Sequence, residues 1–150
     1  MIKNATMKDV TKILELVNSY GQKGLMLTKS PYAIYKNIQE FVVYRTPENE
    51  IAGCVRLNIA WKDLAEVASL AVDEKHLKKG IGKELVNACK KRAKEIGLKR
   101  LFSLTYQTDF FAKCGFKEIE RDTLPHKVFG DCLNCPKAEC CDEHAFIFDL

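Results

Sequence analysis

The most informative stretch for chemistry contains two glycines and three lysines, in the order Lys78, Lys79, Gly80, Ile81, Gly82, Lys83. It follows an apolar run and precedes apolar residues at helical spacing, which predicts a strand, a glycine turn and the start of a helix. A helix N-terminus offers unpaired backbone N–H groups and the positive end of the helix dipole. Because glycine lets the backbone approach an anion and lysine adds positive charge, the stretch predicts a phosphate or pyrophosphate site. The alternative is an ordinary solvated helix start.

The glycine spacing does not match two common nucleotide motifs. A P-loop has a longer glycine span that ends in Lys-Ser or Lys-Thr, and the dinucleotide fingerprint has a third glycine and a later acidic residue. Neither pattern occurs around Gly80. The predicted anion therefore belongs to another kind of ligand.

An acidic residue, Glu66, interrupts the apolar run that leads into the glycine turn. A carboxylate in an apolar strand costs free energy unless it is paired or solvated, which favours a functional role. The alternative interpretation is an outward-facing glutamate on an alternating strand.

Cysteines are concentrated towards the C-terminal end, at Cys132, Cys135, Cys140 and Cys141. The first two have a spacing that suits tetrahedral zinc, but the other two are adjacent and do not form a second spaced pair. We expect buried or redox-active thiols and no metal, with a structural zinc on these four residues as the alternative.

Length and composition are those of a single globular domain, predicted over residues 1–150. The net charge of +4 comes from basic residues that alternate with acidic ones, so nucleic-acid binding is not indicated. No apolar run has the length of a signal peptide or a membrane span. We therefore expect a cytoplasmic protein with a small-molecule substrate and neither nucleic acid nor membrane as a partner. The oligomeric state stays open, with a homodimer as one option.

Patterning and turn residues predict the elements that hold these groups. Thr6 and Asp9 form a capping pair for a first helix, and Ser30 followed by proline starts a second helix that we expect to reach residue 40. Strands are predicted at 2–5, 41–46, 51–61, 64–72, 101–106, 116–121 and 145–150, and further helices from the glycine turn to 97 and over 108–114. The order predicts an α/β (α+β) fold, with a mixed, mostly antiparallel central sheet and helices on both faces.

The glycine turn resembles the acetyl-coenzyme A motif of the GNAT N-acetyltransferases. In that superfamily a splayed strand meets the pantetheine arm, and the following turn wraps the pyrophosphate. Gly80 and Gly82 match the motif, whereas Leu77 stands where Arg or Gln is usual. The resemblance implies acetyl-coenzyme A as co-substrate, bound by the turn and by the strand residues that precede it, Leu70, Ala71 and Val72.

A second segment, 110–116, resembles the GNAT helix that flanks the coenzyme and ends in Gly-Phe. Many members have a proton-donating Tyr where this chain has Phe111. The resemblance implies that the Phe111 ring packs on the coenzyme, and that the proton donor is another residue or water.

Four segments, 24–30, 63–72, 100–106 and 124–137, are similar to the short single-domain amino-acid N-acetyltransferases of the N-acetylglutamate synthase type. This similarity implies acetyl transfer from acetyl-coenzyme A to the α-amino group of L-glutamate, the first step of arginine biosynthesis. The alternatives are another acceptor, such as glutamine, a polyamine, a drug or a protein N-terminus, and a non-catalytic coenzyme A-binding regulatory module.

The same similarity implies roles for individual residues. Glu66 matches the proposed general base, and Thr105 matches a candidate acid, with Tyr106 as a rival proton donor. The substrate carboxylates need cations, and Lys29 falls where longer synthases have a substrate-binding Arg. Longer synthases also use an Arg and a Ser near the C-terminus, but Cys141 and Glu143 stand at those places here, so Lys127 is the replacement that we expect. The expected substrate-binding set is Leu27, Lys29, Ser69 and Lys127.

Overall fold

The computed structural model describes residues 1–125 and 143–150. These residues form seven strands and four α-helices. The strands are β1 (Ile2–Asn4), β2 (Phe41–Arg45), β3 (Ile51–Trp61), β4 (Leu64–Val72), β5 (Arg100–Thr105), β6 (Lys117–Ile119) and β7 (His144–Asp149). The helices are α1 (Val10–Gln22), α2 (Pro31–Lys36), α3 (Ile81–Glu95) and α4 (Thr108–Lys113).

All seven strands belong to one sheet, in the order β1-β2-β3-β4-β5-β7-β6. Within the described residues β4 and β5 form the parallel pair, and the other neighbours are antiparallel. Strand β7 lies between β5 and β6, so the two strands joined by α4 do not touch each other. The predicted mixed, mostly antiparallel sheet is confirmed.

Helices cover both faces of the sheet, because side chains alternate between the faces along each strand. One core cluster joins α1 and α2 to inward residues of β2, β3 and β4, including Ile13, Ile34, Val43 and Cys54. A second joins α3 and α4 to the opposite face, through residues such as Leu85, Phe111, Val55 and Val67. A smaller third cluster joins β4, β5 and β7 and includes Leu64, Phe102 and Ala145. The first two clusters fix β4 from both sides.

The second helix is shorter than the sequence predicts. Helix α2 starts as expected, since the Ser30 side chain accepts a hydrogen bond from the Ala33 N–H. It ends at Lys36, because the side chain of Asn37 donates to the Ala33 carbonyl, 3.0 Å away, and its backbone leaves helical geometry. Residues Ile38–Glu40 form a separate 3-10 turn.

No helix in residues 1–125 or 143–150 is both long enough and apolar enough to cross a membrane.

Candidate active site

The site is organised around a fork between β4 and β5. Their parallel ladder runs from the Leu64–Arg100 pair to the Glu66–Phe102 pair and then stops. Beyond it the side chain of Ser103, which is buried, donates to the Val67 carbonyl at 3.1 Å. A side chain therefore supplies the donor at the point where the backbone ladder ends.

Strand β4 bulges just past the fork. Its residues Ser69 and Leu70 lie opposite one residue of β3, and Ser69 has a left-handed φ of 53°. The Sγ of buried Cys54 donates to the Ser69 carbonyl at 3.5 Å. Burial raises the pKa of Cys54 to about 12, so the group remains a thiol that can donate. The bulge and this contact shape the part of β4 that β5 does not cover.

Residues 70–72 occupy that uncovered part of β4. Leu70 is half-buried against the α3 side of the sheet, and Ala71 is buried on the opposite side and pairs with Cys54. The Val72 carbonyl accepts a hydrogen bond of 2.8 Å from the Tyr20 hydroxyl of α1. The strand predicted to meet the pantetheine arm is thus held from α1 as well as from β3.

The glycine turn forms the N-terminus of α3, as predicted. Gly80 is its N-cap with a φ of 79°, and no described side chain caps the helix. The first N–H groups of α3 therefore have no intrahelical partners. The lysines Lys78, Lys79 and Lys83 are exposed around this end.

Glycine is favoured at positions 80 and 82 for different structural reasons. A Cβ at Gly80 would meet nothing within 4 Å, so the left-handed backbone is what favours glycine there. A Cβ at Gly82 would lie 3.1 Å from the Phe110 ring. Gly82 therefore allows close packing of α4 on the first turn of α3, a contact that the spacing did not reveal.

The packing of the Phe111 ring on the coenzyme stays a prediction, and most of this ring lies in the protein core. Phe111 is 3% exposed and makes edge contacts with the rings of Phe110 and Phe116, each at 5.2 Å between centroids. A ring enclosed in this way belongs to the core. Phe110, which is half-buried beside Gly82, is the aromatic side chain next to the turn.

Glu66 is half-buried at the last paired position before the fork. It lies opposite Asn58 of β3, whose amide donates to a Glu66 carboxylate oxygen at 3.4 Å. Arg56 donates to the side-chain Oδ1 of Asn58 at 3.2 Å and pairs with Glu40 at 2.5 Å. This chain of polar groups was missed, because its members are far apart in sequence.

The two proton-donor candidates lie at the end of β5. Thr105 is 8% exposed, and its Oγ1 accepts a hydrogen bond of 2.8 Å from the Gln107 N–H. That bond leaves the hydroxyl hydrogen available, although it also gives Thr105 a structural role before α4. Tyr106 follows the strand directly and is half-buried.

The segment that contains Leu27 and Lys29 connects α1 to α2, and both residues are half-buried. The side-chain amide of Asn18 makes two hydrogen bonds with the backbone of Lys29, at 2.9 and 3.1 Å. Met26 packs against the cluster on the α1 side of the sheet. Asn18 was not identified from the sequence.

Lys127 and the four clustered cysteines lie outside the described residues. In residues 1–125 and 143–150, no group of three or more His, Cys, Asp or Glu side chains could hold a metal ion. The zinc alternative concerned only the cysteines beyond these ranges.

Known proteins resemble the chain in both sequence and fold. The profile of the acetyltransferase (GNAT) family matches residues 11–116. An uncharacterised N-acetyltransferase of Chlorobaculum tepidum is 36% identical over 99% of this chain and 96% of its own length. An amino-acid acetyltransferase of Mycobacterium tuberculosis is 35% identical over 87% of this chain and 76% of its own length.

A solved structure of N-acetylglutamate synthase from Neisseria gonorrhoeae, complexed with coenzyme A and N-acetyl-glutamate, has a TM-score of 0.89 at 28% identity. The match covers 100% of this chain and 35% of that one. The fork, the helix N-terminus and these matches define an acetyltransferase that uses acetyl-coenzyme A. The chain belongs to the acetyltransferase (GNAT) family, as its glycine turn indicated.

Proposed function

We propose that this protein transfers the acetyl group of acetyl-coenzyme A to the α-amino group of an amino acid, with L-glutamate as the preferred acceptor. The relatives named amino-acid acetyltransferase support an amino-acid acceptor. The Neisseria synthase, solved with N-acetyl-glutamate, supports glutamate. Such a reaction corresponds to the first step of arginine biosynthesis.

The position of Glu66 carries the proposal. It is a half-buried carboxylate in a strand whose other residues, apart from Ser69, are apolar, and it lies at the last β4–β5 pair before the ladder ends. Acyl transfer to an amine needs a base of this kind, because an ammonium group must lose a proton before it can attack. A base at the fork lies where a thioester arm bound along residues 70–72 would present its acetyl group.

The chemistry then requires a base, a proton donor for the thiolate and donors for the developing oxyanion. Glu66 accepts the amine proton directly or through water, and the nitrogen attacks the thioester carbonyl carbon. The C–S bond breaks as the nitrogen gives up its second proton and the amide forms, and the coenzyme thiolate takes up one proton through Thr105, Tyr106 or water. Of the two protons that leave the ammonium group, one ends on the coenzyme thiol and the other passes from Glu66 to solvent. Alignment of the amine with the thioester and backbone N–H groups facing the developing oxyanion lower the barrier further.

The acceptor carboxylates need a cation, and Lys29 fits this requirement. Lys12, Lys29 and Lys90 are the half-buried lysines of the part of the chain that the structure describes. Lys12 pairs with Asp73, and Lys90 donates to the Cys114 carbonyl, whereas Lys29 has no ion-pair partner among the described residues. A half-buried ammonium without a carboxylate favours an anionic ligand.

The test is thiol release from acetyl-coenzyme A by the purified protein, with L-glutamate, L-glutamine, other amino acids, polyamines and a peptide with a free N-terminus as acceptors. We expect the highest kcat/KM with L-glutamate. Glu66→Gln should lower kcat by about 10²- to 10⁴-fold, the usual contribution of a general base, with coenzyme A binding retained. Glu48→Gln, at an exposed position of the β2–β3 turn, is the matched control and should keep the parent rate.

Three results would contradict parts of this proposal. Turnover with only glutamine or a polyamine would show that the acceptor is not glutamate, while acetyl transfer itself would stand. An unchanged rate in Glu66→Gln would remove Glu66 as the base. Coenzyme A binding without turnover for any acceptor would favour a regulatory binding module instead of an enzyme active on amino acids.

A further inference from the structure

The end of α1 turns the chain back along the helix. Gly24 has a left-handed φ of 71°, the Gly24 N–H bonds to the Gly21 carbonyl, and the Leu25 N–H bonds to the Tyr20 carbonyl, both at 3.0 Å. This is a Schellman arrangement, which ends a helix and reverses the chain direction. The residues after Gly24 therefore run beside the last turns of α1.

Helix α1 has a glycine, Gly21, where this returning segment packs against it. A Cβ at Gly21 would lie 2.4 Å from the Thr28 methyl group, so the segment occupies the space that a side chain would need. Glycine inside a helix makes the helix less stable than alanine would. The helix loses that stability, and the returning segment gains close contact with it.

Asn18 is three residues before Gly21 and lies on the same side of the helix. Its Oδ1 accepts from the Lys29 N–H at 2.9 Å, and its Nδ2 donates to the Lys29 carbonyl at 3.1 Å. The two bonds satisfy both backbone groups of one residue, as a neighbouring strand would. They fix the backbone of Lys29 but leave its side chain free to reach a ligand.

The returning segment lies on the same face of the sheet as Glu66. Met26 packs in the cluster that contains Cys54 and Ala71, which is the α1 side. Residues opposite each other in an antiparallel pair share a face of the sheet. Arg56 is opposite Phe41, which belongs to the same cluster, so Arg56 lies on the α1 side. Asn58 is two positions further along β3 and therefore shares that face, as does Glu66 opposite it. A ligand between Lys29 and Glu66 would therefore not have to cross the sheet.

We propose that Asn18 is a positioning residue for the acceptor: it holds the Lys29 backbone so that the Lys29 ammonium receives a carboxylate of the amino acid. The inference rests on the proposed function, because it uses an amino-acid acceptor. It adds a residue that touches neither substrate and acts through Lys29. Its effect is on acceptor binding and not on the acetyl-coenzyme A side of the site.

The test compares Asn18→Ala, Lys29→Met and the double variant. Asn18→Ala removes both hydrogen bonds without weakening α1, since alanine is the better helix former. We expect KM for L-glutamate to rise roughly tenfold, with kcat and the KM for acetyl-coenzyme A close to the parent values. Because Asn18 acts through Lys29, adding Asn18→Ala to Lys29→Met should raise KM by less than twofold.

Two measurements separate positioning from a general loss of structure. The Lys29 amide should exchange with deuterium faster in Asn18→Ala, while the m-value of urea unfolding stays at the parent value, as expected when the loss of bonds is local and the protein remains as compact as the parent. Gln22→Ala, an exposed change one turn further along α1, is the matched control and should alter none of these quantities.

Calorimetric titration of L-glutamate with coenzyme A present gives a Kd that does not depend on turnover. If the parent binds glutamate without turnover, the proposed reaction fails, and a tenfold higher Kd in Asn18→Ala still supports the positioning role. If Lys29→Met weakens acceptor binding while Asn18→Ala does not, the positioning role is refuted and the proposed function stands. If the parent neither binds nor acetylates any amino acid, both are refuted.

Discussion

Removing the hydroxyl of Ser103 tests how β4 and β5 are joined where their backbone ladder ends. The side chain is 3% exposed and donates to the Val67 carbonyl at 3.1 Å, just past the last backbone pair. In Ser103→Ala this buried carbonyl loses its side-chain donor. The missing bond and the unsatisfied carbonyl together lower the free energy of unfolding by about 2 kcal/mol. For a chain of this length, that loss lowers Tm by roughly 6 °C.

The assay is urea unfolding without coenzyme, because a bound ligand would add its own stabilisation. The midpoint should fall while the m-value stays unchanged. Ser19→Ala is the matched control, since its hydroxyl only bonds back to the Leu16 carbonyl of its own helix on the exposed side of α1. It should change the free energy by less than about 0.5 kcal/mol. A Ser103→Ala protein as stable as the parent would refute the role given to this hydroxyl.

Two further predictions follow from α1 and from the buried thiols. Tyr20→Phe removes the donor to the Val72 carbonyl and should raise the Kd for coenzyme A about fivefold, as measured by calorimetry. Tyr32→Phe, at an exposed position, is the control and should leave this Kd unchanged. Equal Kd values for the two variants would contradict a role of Tyr20 in holding β4. Burial raises the pKa of both Cys54 and Cys89 to about 12, so thiolate is scarce at pH 8 and iodoacetamide should leave both unmodified in the folded protein, as peptide mass mapping can check. Rapid labelling of either residue without urea would show that its thiol is accessible to the reagent in the folded protein.

The glycine turn and the two central strands were predictable because their signals are local. The predicted ranges 51–61 and 64–72 are the bounds of β3 and β4. A strand of period two, a turn and a helix start need only neighbouring residues to be recognised. The same information indicated a helix N-terminus at Gly80, where the structure has it.

Contacts between distant residues were not predictable from pattern. The hydrogen bonds of Asn18 reach a backbone eleven residues later, across a chain reversal that periodicity does not encode. Asn58 carries no signal of its own in the sequence, and only the pairing of β3 with β4 places Glu66 opposite it. The spacing of the aromatic pair also did not determine which ring faces the core, and the structure buries Phe111 and leaves Phe110 beside the turn.

The position of β7 between β5 and β6 has a consequence for synthesis. Translation produces β5, α4 and β6 before β7, yet the sheet can join β5 to β6 only through β7. The Arg100–Asp149 pair, for example, closes a long loop of chain. While β7 is still being made, the facing edges of β5 and β6 present unpaired N–H and C=O groups. Pairing of these edges with another copy of the chain is the competing reaction at that stage.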